Sequence, residues 1–230
     1  MTRKERFKKV IEYFEQAQPF AETELHYTDP YQLIVAVILS AQCTDKRVNL
    51  ITPEFFKVFP DAASLSKAET GRIFELVKSC SYPNNKAKHL KGMAQVLVEQ
   101  FNGDVPSEIK ELQKLPGIGR KSANVIAAVV FNKPVMAVDT HVFRVSRRLG
   151  LAVNSKTPYN TEMQLVRYIP ENKIPLAHHW LILHGRYICL ARRPKCRDCG
   201  LTDLCRYYNE SKTVGLKFDK SGYRCQVVPS

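Results

Sequence analysis

The sequence predicts a predominantly α-helical protein, and three observations carry that expectation. Apolar residues recur at helical spacing along most of the chain. No Asn-Gly or Asp-Gly pair joins two alternating apolar runs, as a β-hairpin would require. Prolines and glycines punctuate the pattern where helices should stop. The 230 residues suit one domain with two lobes or two small domains, and a hydrophobic share of 44% is enough for a core.

Taken in order, the start MTRKERFKKV leads into Phe7, Val10, Ile11 and Phe14 at helical spacing, an amphipathic helix. It has no apolar h-region or small-residue cleavage site, and Glu5, Glu12 and Glu15 argue against a transit peptide. The run LIVAVIL (33–39) is apolar on all sides. Its continuation through SAQCTDKRVNLI favours a central helix over a buried strand, and the run is too short to span a bilayer. The expected location is therefore cytoplasmic, on the nucleoid if the source is bacterial. Ser66 to Ser79 suggests a helix with Ile73, Phe74, Leu76 and Val77 along one side, and Lys86 to Phe101 another. Pro106 and Glu108 suit a helix start in SEIKELQKL, ended by Pro116 and Gly117. The next helix should run from about Arg120 to Phe131. Asp139-Thr140 opens a further one through Arg148, stopped by Gly150. The tail beyond Cys205 is polar and basic, and is expected to be partly extended.

The formal charge is +13 and the isoelectric point about 9.5, with the excess spread along the chain. Such a balance favours polyanionic partners, nucleic acid first; a basic protein without one comes second. The stretch LPGIGRKSAN (115–124) then reads as the turn of a helix–hairpin–helix. Gly117 and Gly119 let the backbone approach a bulky partner. Free N–H groups and the positive dipole end at the start of the second helix suit phosphate, bound without reading sequence. Arg120 sits where a phosphodiester would. Lys121 has two readings. A cation in the first turn is disfavoured by a few tenths of a kcal/mol, roughly, and an exposed lysine tolerates that. Alternatively, partial burial and the helix end depress its pKa, giving a neutral amine able to attack a sugar C1′. The hairpin alone favours the first.

AVDTHVFRVSRRLG (137–150) shifts that balance. Asp139 should cap its helix, worth ~1 kcal/mol, and a carboxylate accepting backbone N–H bonds stays ionised. It is then available to stabilise a cationic transition state, paired with Lys121 across a cleft. Cys189, Cys196, Cys199 and Cys205 follow C-x6-C-x2-C-x5-C. In an apparently intracellular chain they are read as metal ligands. Structural zinc usually has two close cysteine pairs and only one occurs here, which leans towards a [4Fe–4S] cluster. The loop ARRPK (191–195), with Arg192, Arg193 and Lys195, is the phosphate-contacting candidate. Cys43, Cys80 and Cys225 are expected as free thiols, the first two packing as small hydrophobes.

LPGIGRKSAN, VDTHVFRVSRRLG, HHWLILHGRYICLARRPKC and the cysteine spacing together resemble the endonuclease III family of DNA glycosylases, from about Tyr31 to Cys205. The resemblance implies an all-α, two-lobed fold with a DNA cleft between lobes. A six-helix barrel lobe would take residues 22–133, and an iron–sulfur lobe 1–21 with 134–210, followed by a tail at 211–230. It further implies a monomer acting on duplex DNA with damaged bases or abasic sites. By motif position Lys121 is the nucleophile and Asp139 the catalytic carboxylate, in a glycosylase that removes damaged pyrimidines and cleaves the strand by β-elimination. LSAQCTD (39–45) matches a loop whose glutamine fills the space of a flipped base, pointing to Gln42. In SCSYPNNKAK (79–88) Tyr82 stands where an aliphatic wedge is usual, either stacking on bases or as an ordinary loop aromatic. His141 is read as a supporting residue. Two rivals are an adenine-mispair glycosylase and a non-catalytic duplex-binding module. The first lacks the lysine and carries an acid near the Gln42 loop; the second has no use for Lys121 and Asp139.

Overall fold

The computed structural model describes residues 1–213, and among them there is no strand. Two compact units form. One is Thr23–Lys133; the other joins Met1–Glu22 to the described residues from Pro134 on.

The first unit is built round α2 (Pro30–Ser40). Asp29 starts it, its Oδ1 accepting the Gln32 N–H at 2.8 Å, with Pro30 pre-set for the first turn. Tyr31 and every residue from Leu33 to Leu39 are buried. A helix apolar on its whole circumference has to be surrounded, and α3 (Asp45–Val58), α6 (Pro83–Phe101) and α8 (Arg120–Phe131) pack on it. The continuous helix expected through SAQCTDKRVNLI is two. Thr44 caps α3 through the Arg47 N–H at 3.3 Å, and Gln42 between them takes φ 53°. Serine and threonine side chains compete for backbone groups, so this polar stretch stops one helix and starts the next.

The helix expected over Ser66 to Ser79 is shorter, Thr70–Val77, and a separate one-turn helix precedes it. Asp61 and Ser64 cap each other at the start of α4 (Ala62–Ser66), and α5 (Thr70–Val77) begins after Glu69. Helix α6 begins at Pro83, earlier than Lys86, because proline fits the first helical position. α7 (Ile109–Leu112) is one turn after Glu108, shorter than expected, and α8 keeps its expected span.

In the second unit, α1 (Arg3–Ala17) buries Phe7, Val10, Ile11 and Phe14. α9 (Thr140–Leu149) ends at Gly150, φ 79°. α10 (Pro158–Val166) and α11 (Ile174–Tyr187) follow, elements the sequence reading did not delimit. Phe14 stacks on Trp180 at 5.7 Å, and the Trp180 indole donates to the Gln18 carbonyl at 2.7 Å, tying the end of α1 to α11. A Cβ on Gly185 would lie 2.8 Å from Cβ of His141, so glycine there lets α11 press against α9. The residues after Cys205 are not extended at first. They form α12 (Arg206–Thr213), and the rest of the tail with Cys225 lies outside the described residues.

Candidate functional site

Leu115 and Ile118, both buried, anchor the turn between α7 and α8. Gly117 takes φ 84°, and a Cβ there would meet the Cβ of His89 at 2.9 Å. Its missing side chain thus makes room for the chain's own histidine rather than for a partner. Gly119 differs: nothing lies within 4 Å of where its Cβ would be, so this backbone is approachable from outside. Gly119 is also the N-cap of α8 and offers no side-chain acceptor to the first-turn amides. Arg120 and Lys121 are both exposed. The partial burial expected of Lys121 is not found within this chain.

Gln42 and Tyr82 come together in the same unit. The Ser81 hydroxyl donates to the Gln42 carbonyl at 2.7 Å. Gln42 (φ 53°) and Tyr82 (φ 54°) both adopt left-handed backbone angles, and Tyr82 is 59% exposed. Non-glycine residues in that region cost ~1 kcal/mol or more each and mark segments held by their surroundings. One holder is Lys86, which sequence reasoning missed. It is buried, with Nζ donating to the Leu39 carbonyl at 2.7 Å, and burial pulls its pKa down. The signal was present: Lys86 shares the apolar face of α6 with Leu90 and Met93, at helical spacing.

Asp139 lies in the other unit, as the N-cap of α9. Its Oδ1 accepts the Val142 N–H at 2.7 Å and its Oδ2 faces His141 Nδ1 at 3.0 Å. The carboxylate side chain is 14% exposed. His141 therefore orients the second carboxylate oxygen, while Gly185 fixes the seat of His141.

Cys189, Cys196, Cys199 and Cys205 line one pocket, walled also by His184, Pro194, Tyr207 and Tyr208. Burial, and then the neighbouring thiols, push Cys196, Cys199 and Cys205 up to about 11. Burial alone takes His184 down to about 4, so its ring is neutral, 3.7 Å from Cys199 Sγ. Arg148, unremarked in the sequence, organises the rim. It donates to Cys189 Sγ at 3.4 Å and to the carbonyls of Leu190 (2.7 Å) and Ala191 (3.0 Å). Arg144 donates to the Cys189 carbonyl at 3.1 Å and that of Gly185 at 2.9 Å. A Cβ at Gly200 would lie 2.5 Å from the Tyr13 ring, so a larger residue there would displace the end of that side chain. Arg192, Arg193 and Lys195 are exposed around buried Pro194, with Arg193 at φ 56°. The donors are all thiols, and among the described residues no three His, Cys, Asp or Glu side chains converge on a point suited to a single metal ion. No helix among those residues is long and apolar enough to cross a membrane.

The profile of a family described as "HhH-GPD superfamily base excision DNA repair protein" matches residues 35–171. An endonuclease III of Rickettsia felis is 44% identical over 201 residues, 87% of this chain and 94% of that protein. One from Bacillus subtilis is 41% identical over 204 residues, 89% of this chain and 90% of the relative. Among solved structures, a trapped endonuclease III–DNA covalent intermediate superposes with a TM-score of 0.87 at 36% identity, covering 92% of this chain and all of that one.

Proposed function

The chain belongs to the HhH-GPD superfamily of base excision DNA repair proteins and, within it, to the endonuclease III family; from that premise we propose how its own residues carry out the reaction. The protein is a DNA glycosylase with AP lyase activity. Its substrate is duplex DNA holding a damaged base, an oxidised pyrimidine by resemblance, or an abasic site. It works as a monomer on chromosomal DNA.

The observation that carries the assignment is an exposed lysine in the first turn of α8, one residue beyond an arginine and two beyond an open, uncapped glycine. The amides at Gly119 and the first turn, with Arg120, take a phosphate. That contact sets the register of Lys121 against the deoxyribose. The Lys121 amine bonds to C1′ as the C1′–N bond to the base breaks. The C1′–O4′ bond of the resulting aminal then breaks, O4′ takes up a proton, and the imine so formed acidifies the C2′ proton; its removal expels the 3′ phosphate and cuts the strand. Asp139 stabilises the cationic sugar and accepts the proton from the attacking amine. Duplex DNA laid over the hairpin would supply the burial that Lys121 lacks in the free chain. Gln42 and Tyr82, presented side by side at left-handed turns, fill the gap left by the extruded nucleotide, with Tyr82 stacking on a base.

The four cysteines fit a [4Fe–4S] cluster. A tetrathiolate zinc holds its sulfurs ~2.3 Å from one ion. The four thiols here line one pocket in the order C-x6-C-x2-C-x5-C, with a single close cysteine pair where tetrathiolate zinc usually has two. Held by Cys189, Cys196, Cys199 and Cys205, such a cluster would supply a fixed, dianionic anchor for the loop between Cys189 and Cys196. Arg148, donating to Cys189 Sγ, offsets part of that charge. The loop's Arg192, Arg193 and Lys195 remain exposed and face phosphate.

Borohydride reduction of the protein mixed with abasic duplex tests the assignment. Wild type should give a covalent adduct; Lys121→Gln should give none and still bind the duplex. A full yield of adduct from that variant would mean that another amine is the nucleophile.

A further inference from the structure

Cys43 and Cys80 lie outside the four-cysteine site, and the sequence reading left them as packing thiols. The structure gives them a particular place. Cys43 directly follows Gln42, and Cys80 stands two residues before Tyr82. Each closes a turn, the Cys43 amide donating to the Ser40 carbonyl at 3.0 Å and the Cys80 amide to that of Val77 at 2.8 Å. The Ser81–Gln42 hydrogen bond holds the two backbones within one side-chain length of each other. Cys80 is buried and Cys43 half-buried. Burial, with Cys43 beside it, raises the Cys80 thiol to about 11, while the cations of Lys86 and Arg47 act in the opposite direction. Lys86 is a buried ammonium close to both thiols.

We propose that Cys43 and Cys80 form an oxidisable dithiol that peroxide closes to a disulfide, tying together the two loops that present Gln42 and Tyr82. Cys43, the more accessible, reacts first. Its thiolate attacks hydrogen peroxide; an S–O bond forms, the O–O bond breaks, and hydroxide leaves, becoming water with the proton the thiol gave up. The Cys80 sulfur then attacks the sulfenic acid; the S–S bond forms, the S–O bond breaks, and the second water leaves with the Cys80 proton. Two thiols and one peroxide give one disulfide and two waters. The sulfurs are oxidised by two electrons, and a dithiol reductant returns them. The consequence for DNA rests on the reading of these loops as duplex-facing. Cross-linked loops cannot separate to admit a stack, so the oxidised protein binds less well.

The test uses the full-length, iron-loaded protein treated with stoichiometric hydrogen peroxide. Peptide mapping without reductant should show residues 79–86 joined to the peptide ending at Lys46, reversed by dithiothreitol. In Cys80→Ser, Cys43 should proceed to sulfinic acid for want of a resolving thiol. Free, alkylatable thiols at both positions after oxidation, or linkage of either to Cys225 or to the four-cysteine site, would overturn the proposal. A duplex with a stable abasic analogue provides the second arm. Reduced protein should bind it, which tests the glycosylase reading by itself, and oxidised protein should bind at least about tenfold more weakly. Recovery with reductant, and no peroxide effect in Cys43→Ser, are expected. A disulfide that forms without changing binding would refute the coupling to the loops.

Discussion

Replacing Asp139 separates the two roles its geometry combines. Oδ1 holds the Val142 N–H at 2.7 Å, and Oδ2 faces His141 at 3.0 Å. Asp139→Ala removes the cap, at a cost of ~1 kcal/mol, within a range of about 0.5–2. For a chain of this size that is a fall in melting temperature of roughly 2–4 °C. Asp139→Asn keeps an oxygen for Val142 and loses only the charge; asparagine caps about as well as aspartate, so the change in stability should stay below about 0.5 kcal/mol. Its catalytic effect should be far larger, because a positioned proton acceptor contributes about 10²–10⁴-fold. Single-turnover cleavage of abasic duplex, run beside thermal unfolding followed by circular dichroism, reads both quantities on the same samples. The expected pattern is a rate loss of about 100-fold or more in both variants, and a stability loss in alanine alone. An asparagine variant that cleaves at the wild-type rate would show Asp139 to be a cap and nothing more. One that melts as early as alanine would show that the charge is needed for folding, and the separation of roles would fail.

Arg148→Met removes the donor to Cys189 Sγ and to the Leu190 and Ala191 carbonyls. Purified variant should carry less iron and its visible absorbance should bleach faster in air; unchanged iron content and bleaching would remove Arg148 from that site. Acid should destabilise the protein through His179, whose pKa burial lowers from 6.5 to about 4. A histidine depressed in the folded state takes up protons more readily when unfolded. Its contribution is therefore present above pH 6.5 and is lost as pH falls towards 4, by up to ~3 kcal/mol. Chemical denaturation across that window should show the slope, and His179→Phe should flatten it; an identical slope in the variant would assign the acid sensitivity elsewhere.

Much of the site could be read without coordinates because its parts are local. The α9 cap sits within four residues, the α7–α8 turn within seven, and the four cysteines within seventeen. Chemistry that short in sequence leaves a pattern of residue types at fixed spacing. The helix that failed to continue through SAQCTD was a misjudged competition between an apolar run and side chains that cap. The helix after Cys205 was passed over because Arg206–Thr213 is polar apart from two tyrosines, which gave no periodic signal.

The sequence by itself determined the helical class, the basic surface, the hairpin with its lysine, the capping aspartate and the four thiols, since each is written in neighbouring residues. Only the tertiary structure decided what lies beneath and between them. Gly117 is spent on His89 and Gly119 on open space; Lys86 is a buried cation; the Gln42 and Tyr82 loops share a hydrogen bond; Arg148 reaches the cysteine rim. These contacts join residues tens of positions apart, and spacing along a chain carries no record of which distant segments packing brings together.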